Sequence, residues 1–114
     1  MEREILDILD DILHTAKSIQ GFVQGMTYDQ FTADEKTFFA VIQGFEIIGE
    51  AAKHIPKDVR IAYPEIAWNA MARMRDLLIH HYFGTNYAVI WETIEIRIPP
   101  LIVDIQKVIK DYNV

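Results

Sequence analysis

The sequence contains no cysteine, and it contains no apolar run long enough to cross a bilayer. Without a thiol, the chain cannot form disulfides, attack a substrate through a thiolate or bind zinc through sulfur. Its first residues, Met1-Glu2-Arg3-Glu4, lack the basic region and apolar stretch of a secretory signal. We therefore expect a cytoplasmic protein that uses none of the cysteine-dependent chemistries.

Basic charge is also scarce. The 114 residues include 11 lysines and arginines against 17 aspartates and glutamates, which gives a net charge of -6. This excess of acid argues against a general nucleic-acid binder, because phosphates are normally neutralised by clustered lysine and arginine. A local basic face stays open, since several basic residues fall in the middle third of the chain: Lys53, His54, Lys57, Arg60, Arg73 and Arg75.

The period-2 alternation of a strand is missing as well, whereas apolar residues recur at three- and four-residue spacing. This pattern predicts a long first helix from about residue 3 to Gly25. Thr32-Ala33-Asp34-Glu35 has the form of a capping box and predicts the start of a second helix, which Pro56 ends near His54. Small residues in this helix, Gly49 among them, would allow another helix to approach closely.

Beyond a short turn at 57–62, a third helix is predicted from about residue 66 to 82, with Trp68, Met71, Met74 and Leu78 on one side. Gly84-Thr85-Asn86 would close it. The apolar pattern continues over 87–98, where Pro99-Pro100 must either kink the helix or start a fifth. The prediction is a single domain over residues 1–114, an all-α, up-and-down bundle of four to five helices. The hydrophobic fraction of 51% leaves apolar surface for a partner and favours a homodimer.

One helical stripe carries possible metal ligands. Glu46, Glu50 and His54 are spaced four residues apart. Carboxylate metal sites in bundles use Glu-x-x-His pairs on two helices, and the sequence contains no Glu-x-x-His pair. The better prediction is that Glu50 pairs with a cation and that the protein needs no metal or other cofactor.

The most unusual segment is Arg75-Asp76-Leu77-Leu78-Ile79-His80-His81-Tyr82. Five helical steps of about 100° place His80 roughly 140° around the helix from Arg75, so the two do not share one stripe. Either the helix end unwinds, or two copies of this helix build a composite site about a two-fold axis. The alternative is a helix end whose histidines complement the macrodipole and whose arginine makes a surface salt bridge.

The chemistry open to this segment is RNA cleavage without metal. Histidine titrates near neutrality, so it can take a proton from a ribose 2′-hydroxyl or give one to the leaving 5′-oxygen. Arginine can hold a phosphate in two-point contact and stabilise the charge that develops on it. Asp76 could orient the arginine or a histidine.

The pattern Arg-x4-His-x-Tyr of Arg75, His80 and Tyr82 resembles the signature of the HepT-like branch of the HEPN superfamily. The resemblance extends over most of the chain in order and spacing. It includes Asp34-Glu35-Lys36-Thr37, Glu46-Ile47-Ile48-Gly49-Glu50-Ala51-Ala52-Lys53, Tyr63-Pro64-Glu65-Ile66 with Trp68, Met74-Arg75, and Tyr82-Phe83-Gly84 leading to Ile90-Trp91-Glu92-Thr93.

The resemblance implies a homodimeric toxin of a prokaryotic toxin-antitoxin pair with the HEPN fold. It implies a metal-independent endoribonuclease for tRNA or mRNA, with Arg75 and His80 of both protomers lining the dimer cleft. The implied partner is a minimal nucleotidyltransferase antitoxin (MntA-like) that transfers AMP to the motif tyrosine, here Tyr82. Asp76 departs from the asparagine that is frequent after the arginine, and His81 competes with His80 as acid or base, although the family spacing selects His80.

Two other classes of function stay open on the sequence. The chain could be a non-catalytic subunit that binds nucleotide or presents substrate to a nucleotidyltransferase. It could also be a purely structural dimer that assembles a complex through exposed helices. Substitution of Arg75 and His80 separates these from the ribonuclease, because only the ribonuclease needs both side chains.

Overall fold

The computed structural model describes residues 2–80 and 87–113, and these are helical over most of their length without a β-strand among them. The helices are α1 (Glu2–Val23), α2 (Tyr28–Ala33), α3 (Glu35–Lys53), α4 (Lys57–Ala62), α5 (Trp68–His80), α6 (Tyr87–Glu92) and α7 (Ile98–Tyr112). A π-helical segment, Thr93–Arg97, joins α6 to α7. The all-α prediction is confirmed. None of these helices is long and apolar enough to span a membrane.

Helix α3 lies at the centre of the fold. It packs against α1 on one side and α5 on the other, and α1 in turn packs against α7. The apolar stripes of these helices meet in one core whose fully buried side chains include Leu9, Ile12, Phe45, Ile48 and Ile105. The arrangement fixes α5 against α3, which is the contact that positions Arg75.

The start of α3 differs from the capping box predicted with Thr32 and Glu35. The cap of α3 is Asp34, whose Oδ1 accepts from the backbone N–H of Thr37 at 3.0 Å and whose Oδ2 accepts from the Thr37 hydroxyl at 2.8 Å. Thr32 instead donates its hydroxyl to the carbonyl of Asp29 at 3.0 Å. The prediction was wrong because an extra short helix, α2, ends where the second helix was expected to begin.

Helix α2 has a capping box of its own. Thr27 Oγ1 accepts from the N–H of Gln30 at 3.2 Å, and Gln30 Oε1 accepts from the N–H of Thr27 at 2.9 Å. The turn before it passes through Gly25, whose φ of +78° is the left-handed conformation that glycine adopts without strain. Phe31 anchors α2 among aromatic rings of α3 and α6, with ring centroids 5.9 Å from Phe38 and 5.1 Å from Trp91.

The two prolines start α7 within its first turn rather than bending one long helix at its centre. Because neither Pro99 nor Pro100 has an N–H, two carbonyls of the preceding turn lose their helical donors. The π-helical segment immediately before α7 carries the chain through this interruption. Ile94 and Ile98 stay buried across it, so the apolar pattern predicted for this region continues without a break.

Candidate active site

Arg75 lies on α5 where that helix passes closest to α3. A Cβ placed on Gly49 would lie 2.8 Å from Cβ of Arg75, 3.1 Å from the carbonyl oxygen of Met71 and 3.3 Å from the backbone nitrogen of Arg75. In real proteins, a Cβ atom essentially never approaches another non-bonded atom as closely as the shortest of these distances. The close approach of small residues that the sequence predicted is therefore present at Gly49, and it fixes the base of the Arg75 side chain.

The far end of the Arg75 side chain contacts Glu50, the residue after Gly49. Arg75 Nη1 lies 3.6 Å from Oε2 of Glu50, and the other carboxylate oxygen of Glu50 lies 3.5 Å from Nε2 of His54. The prediction that Glu50 pairs with a cation is confirmed, and the cation is Arg75. Both side chains are partly exposed, 38% for Arg75 and 53% for Glu50. A pair in this setting contributes at most about 1 kcal/mol to stability.

Helix α5 is continuous through His80, its last residue. Of the two explanations offered for the wide angle between Arg75 and His80, unwinding of the helix between them is therefore excluded. Their backbone positions are separated by roughly 140° around one helix. A single α5 helix does not carry the two residues on one stripe.

The remaining predicted site residues divide by position. Asp76 is on α5 next to Arg75, but its side chain, like that of His80, lies outside the described part of the structure. His81 and Tyr82 fall outside the described residues altogether. The structure therefore brings Arg75 and Glu50 together, and the functional roles of all six residues stay predictions.

The stripe considered for metal binding takes part in other contacts. Glu50 is shared between Arg75 and His54, as described above. In residues 2–80 and 87–113, no group of three or more histidine and carboxylate side chains is arranged to hold a metal ion. The chemistry of Arg75 and Glu50 is that of an anion-binding cation with an acidic neighbour.

An open groove runs along α1 and α3 beside this pair. Its volume is about 410 Å³, and it is lined by Glu4, Ile8, Asp11, Ile47, Glu50, Ala51 and His54. The acidic side chains on its walls make it unfavourable for an RNA phosphate.

Arg60 is one basic residue whose role the sequence did not reveal. Its guanidinium donates from Nε to the carbonyl of Ile55 at 3.2 Å, from Nη2 to the carbonyl of Ala52 at 2.7 Å, and from Nη1 to Oδ1 of Asn69 at 2.6 Å. It thus caps the end of α3 and ties that end to α5. Arg60 belongs to the scaffold of the site, and the basic face proposed from the sequence loses one of its members.

Comparison with known proteins identifies the family of this chain. The family described as "Ribonuclease HepT-like" matches residues 12–108. A protein of Thermococcus cleftensis named "Probable ribonuclease HepT" is 48% identical over 101 residues, which cover 89% of this chain and 92% of that protein. A protein of Methanocaldococcus jannaschii named "Putative RNase" is 46% identical over 110 residues, covering 96% of this chain and 91% of its own length. No solved structure matches the chain significantly.

The all-α fold, together with the match to a ribonuclease family over residues 12–108, defines an RNA-cleaving enzyme of the all-α class. The chain belongs to the HepT-like ribonuclease family, and the family resemblance drawn from the Arg75 to Tyr82 segment and its flanking motifs is confirmed.

Proposed function

We propose that this protein is the toxin of a toxin-antitoxin pair and cleaves cellular RNA, tRNA or mRNA, in the cytoplasm without a metal ion. The observation that carries the proposal is Arg75. It is a partly exposed cation, fixed at its base by Gly49 and at its tip by Glu50. A guanidinium held in this way can bind the scissile phosphate through its remaining N–H groups.

His80 supplies the proton transfers in this proposal. It removes the proton of the ribose 2′-hydroxyl, and the imidazolium so formed returns a proton to the leaving 5′-oxygen. The O2′–P bond forms as the P–O5′ bond breaks, leaving a cyclic phosphate and a free 5′-hydroxyl. Arg75 stabilises the negative charge that grows on the phosphate oxygens between the two steps.

The site is composite in this proposal. Because α5 is helical from Arg75 to His80, the two residues of one chain diverge around the helix axis. A homodimer that packs two α5 helices about a two-fold axis brings Arg75 of one protomer towards His80 of its partner. Dimerisation is then a requirement for activity and not only for stability.

Cleavage in the presence of a chelator tests the catalytic assignment. The isolated dimer is incubated with a short RNA and excess EDTA, and Arg75→Ala and His80→Ala are compared with the unaltered protein. We expect cleavage by the unaltered protein and loss of at least about a hundredfold in each variant. Arg73→Ala is the matched control, because Arg73 is an exposed cation two residues away on the same helix. Undiminished cleavage by both site variants would refute the ribonuclease mechanism.

Control of the enzyme is assigned to Tyr82 and a minimal nucleotidyltransferase antitoxin. Transfer of AMP from ATP to the Tyr82 hydroxyl forms a phosphodiester to the tyrosine and releases pyrophosphate. In this proposal, the added phosphate pairs with Arg75 and blocks RNA by its charge and bulk. Asp76 and His81 flank the catalytic pair as supporting residues.

Intact-mass measurement after co-expression with the nucleotidyltransferase tests this control. We expect mass increments of one or more AMP units on the unaltered chain. These increments disappear in Tyr82→Phe and persist in Tyr28→Phe, which removes an exposed tyrosine on α2. An unmodified chain that is nevertheless inhibited would assign the inhibition to binding alone.

A further inference from the structure

Two consecutive residues of α3 contact the two ends of one side chain on α5. Gly49 meets the base of Arg75, where an added Cβ would approach Cβ of Arg75 to 2.8 Å. Glu50 meets its tip, with Oε2 at 3.6 Å from Nη1. In the part of the chain that the structure describes, Glu50 is the acidic residue that reaches this arginine. A surface arginine without such contacts would sample many rotamers.

We infer that Glu50 is a positioning residue for Arg75, holding one terminal nitrogen of the guanidinium so that its other N–H groups meet the scissile phosphate in two-point contact. The inference deepens the proposed function and rests on it, since it requires Arg75 to bind that phosphate. Glu50 is assigned no contact with RNA, and it acts through the arginine.

The chemistry of the guanidinium fits this division of contacts. The group carries five N–H donors in a rigid plane, of which two are on Nη1. A carboxylate facing Nη1 leaves Nε and Nη2 for a phosphate. The other oxygen of Glu50 faces Nε2 of His54 at 3.5 Å, so the carboxylate itself is held from a second side. Among the described residues, the anchor of Arg75 is thus built from α3 and from His54, the residue that follows it.

The kinetic constant that changes when Glu50 is substituted distinguishes a positioning role from simple electrostatic repulsion of RNA. Glu50 is a negative charge near a site that binds a polyanion, so it repels RNA. If that repulsion were its whole influence, Glu50→Gln would lower KM and leave kcat unchanged. If Glu50 positions Arg75, the same substitution lowers kcat, because the arginine no longer meets the transition state in its productive orientation.

The experiment measures kcat and KM of the full-length dimer on a short RNA in excess EDTA. The variants are Glu50→Gln, Glu50→Asp and, as the matched control, Asp11→Asn, which removes one negative charge from the wall of the same groove. We expect kcat of Glu50→Gln to fall about tenfold, the scale of a modest misplacement of a reacting group. Glu50→Asp recovers part of the loss, and Asp11→Asn keeps the kcat of the unaltered enzyme.

A second background tests whether Glu50 acts through Arg75. In Arg75→Lys, the planar fork is replaced by a point charge, so there is no fork left for Glu50 to orient. The additional effect of Glu50→Gln on kcat should then shrink to less than about twofold, the non-additivity expected of two residues in one interaction.

Two results would overturn the positioning role and leave the ribonuclease mechanism intact. One is a kcat of Glu50→Gln within twofold of the unaltered value. The other is a decrease in kcat on Glu50→Gln that is as large in the Arg75→Lys background as in the unaltered protein. A fully active Arg75→Ala enzyme overturns both. Glu50 is more than half exposed, so its substitution should leave the fold in place. Helix content and dimer mass, measured on every variant, confirm that the comparison is between folded dimers.

Discussion

Gly49 of α3 and Arg75 of α5 meet at a point where there is no room for a methyl group: a Cβ on Gly49 would lie 2.8 Å from Cβ of Arg75. Two of the three nearest atoms around this position belong to the α5 backbone. Neither can move without moving the helix. The contact therefore sets the distance between the helix that carries Glu50 and the helix that carries Arg75 and His80.

Substitution of Gly49 by alanine should damage both stability and activity. The added methyl forces α3 and α5 apart, and overpacking of this kind costs about 1–3 kcal/mol. The same shift separates Glu50 from Arg75. Thermal unfolding and RNA cleavage measure the two effects.

Gly21→Ala is the matched control for this prediction. Gly21 is an exposed residue of α1, and a Cβ there would meet nothing within 4 Å. Alanine is the better helix former, so this variant should be more stable by about 0.5–1 kcal/mol and fully active. A Gly49→Ala protein as stable as Gly21→Ala would show that the close approach at Arg75 is not needed.

Sequence reasoning predicted most of this framework and missed parts of it for identifiable reasons. In α1 and α3, apolar residues recur every three or four positions because one face of each helix is buried, and this pattern is visible in the sequence. Both helices were therefore predicted to within two residues at their C-terminal ends. Helix α2 was missed because its six residues are too few to show a period. The Thr32 to Glu35 pattern then suggested a cap that the chain places at Asp34.

The candidate site was predictable to a similar degree. The spacing of Arg75 and His80 is a local property of the chain, so their divergence around one helix was predictable, and the helix is continuous between them. The two-chain site stays a prediction. The sequence also predicted that Glu50 pairs with a cation. It could not identify that cation, because its identity depends on how α3 packs against α5. Arg60 was assigned to a basic face because a sequence cannot show that its donors are already occupied by Ala52, Ile55 and Asn69.

Arg60→Ala should destabilise the α3–α5 corner. It removes donors from two backbone carbonyls at the end of α3 and from Asn69 on α5, with a cost of roughly 1–3 kcal/mol. Arg60→Lys should recover little, because an ammonium cannot reproduce the fork. Denaturant unfolding measures the loss, with Arg73→Ala, an exposed cation, expected within about 0.5 kcal/mol of the unaltered protein.

The Tyr63 hydroxyl provides a test at alkaline pH. It donates to Oδ2 of Asp111 at 2.9 Å, and this hydrogen bond raises the pKa of Tyr63 above its ordinary value of 10.0, with burial adding to the shift. Because the pKa is higher in the folded state, the stabilisation is complete below pH 10 and is lost as pH rises through the folded pKa. Tyr63→Phe should therefore have a shallower alkaline loss of stability than Tyr28→Phe. Equal slopes in the two variants would exclude this linkage.

Asp34 provides the corresponding test in acid. Its hydrogen bonds from the N–H and hydroxyl of Thr37 lower the pKa of the carboxyl below its ordinary value of 3.8. The stabilisation is therefore present above pH 3.8 and is lost as pH falls through the folded pKa. Asp34→Asn, which still caps the helix but does not titrate, should flatten the acid limb of the stability curve relative to the unaltered protein. Thr32→Ala should be milder than Asp34→Ala at neutral pH, because Thr32 is not the cap.

The central claim is that Arg75 of one protomer works with His80 of its partner. Two kinds of heterodimer, each purified through two different tags, test this pairing, because one is expected to be active and the other inactive. In a dimer of an Arg75→Ala chain and a His80→Ala chain, a composite arrangement keeps one complete site. In a dimer of an unaltered chain and a chain that carries both substitutions, it keeps none.

The measurement is the RNA cleavage rate of these two heterodimers relative to the unaltered dimer. A composite site predicts about half of the full rate for the first heterodimer and background for the second, since the two-fold axis creates two equivalent sites. The reverse result, with the first heterodimer inactive and the second at about half rate, would place the complete site within one chain and contradict the account.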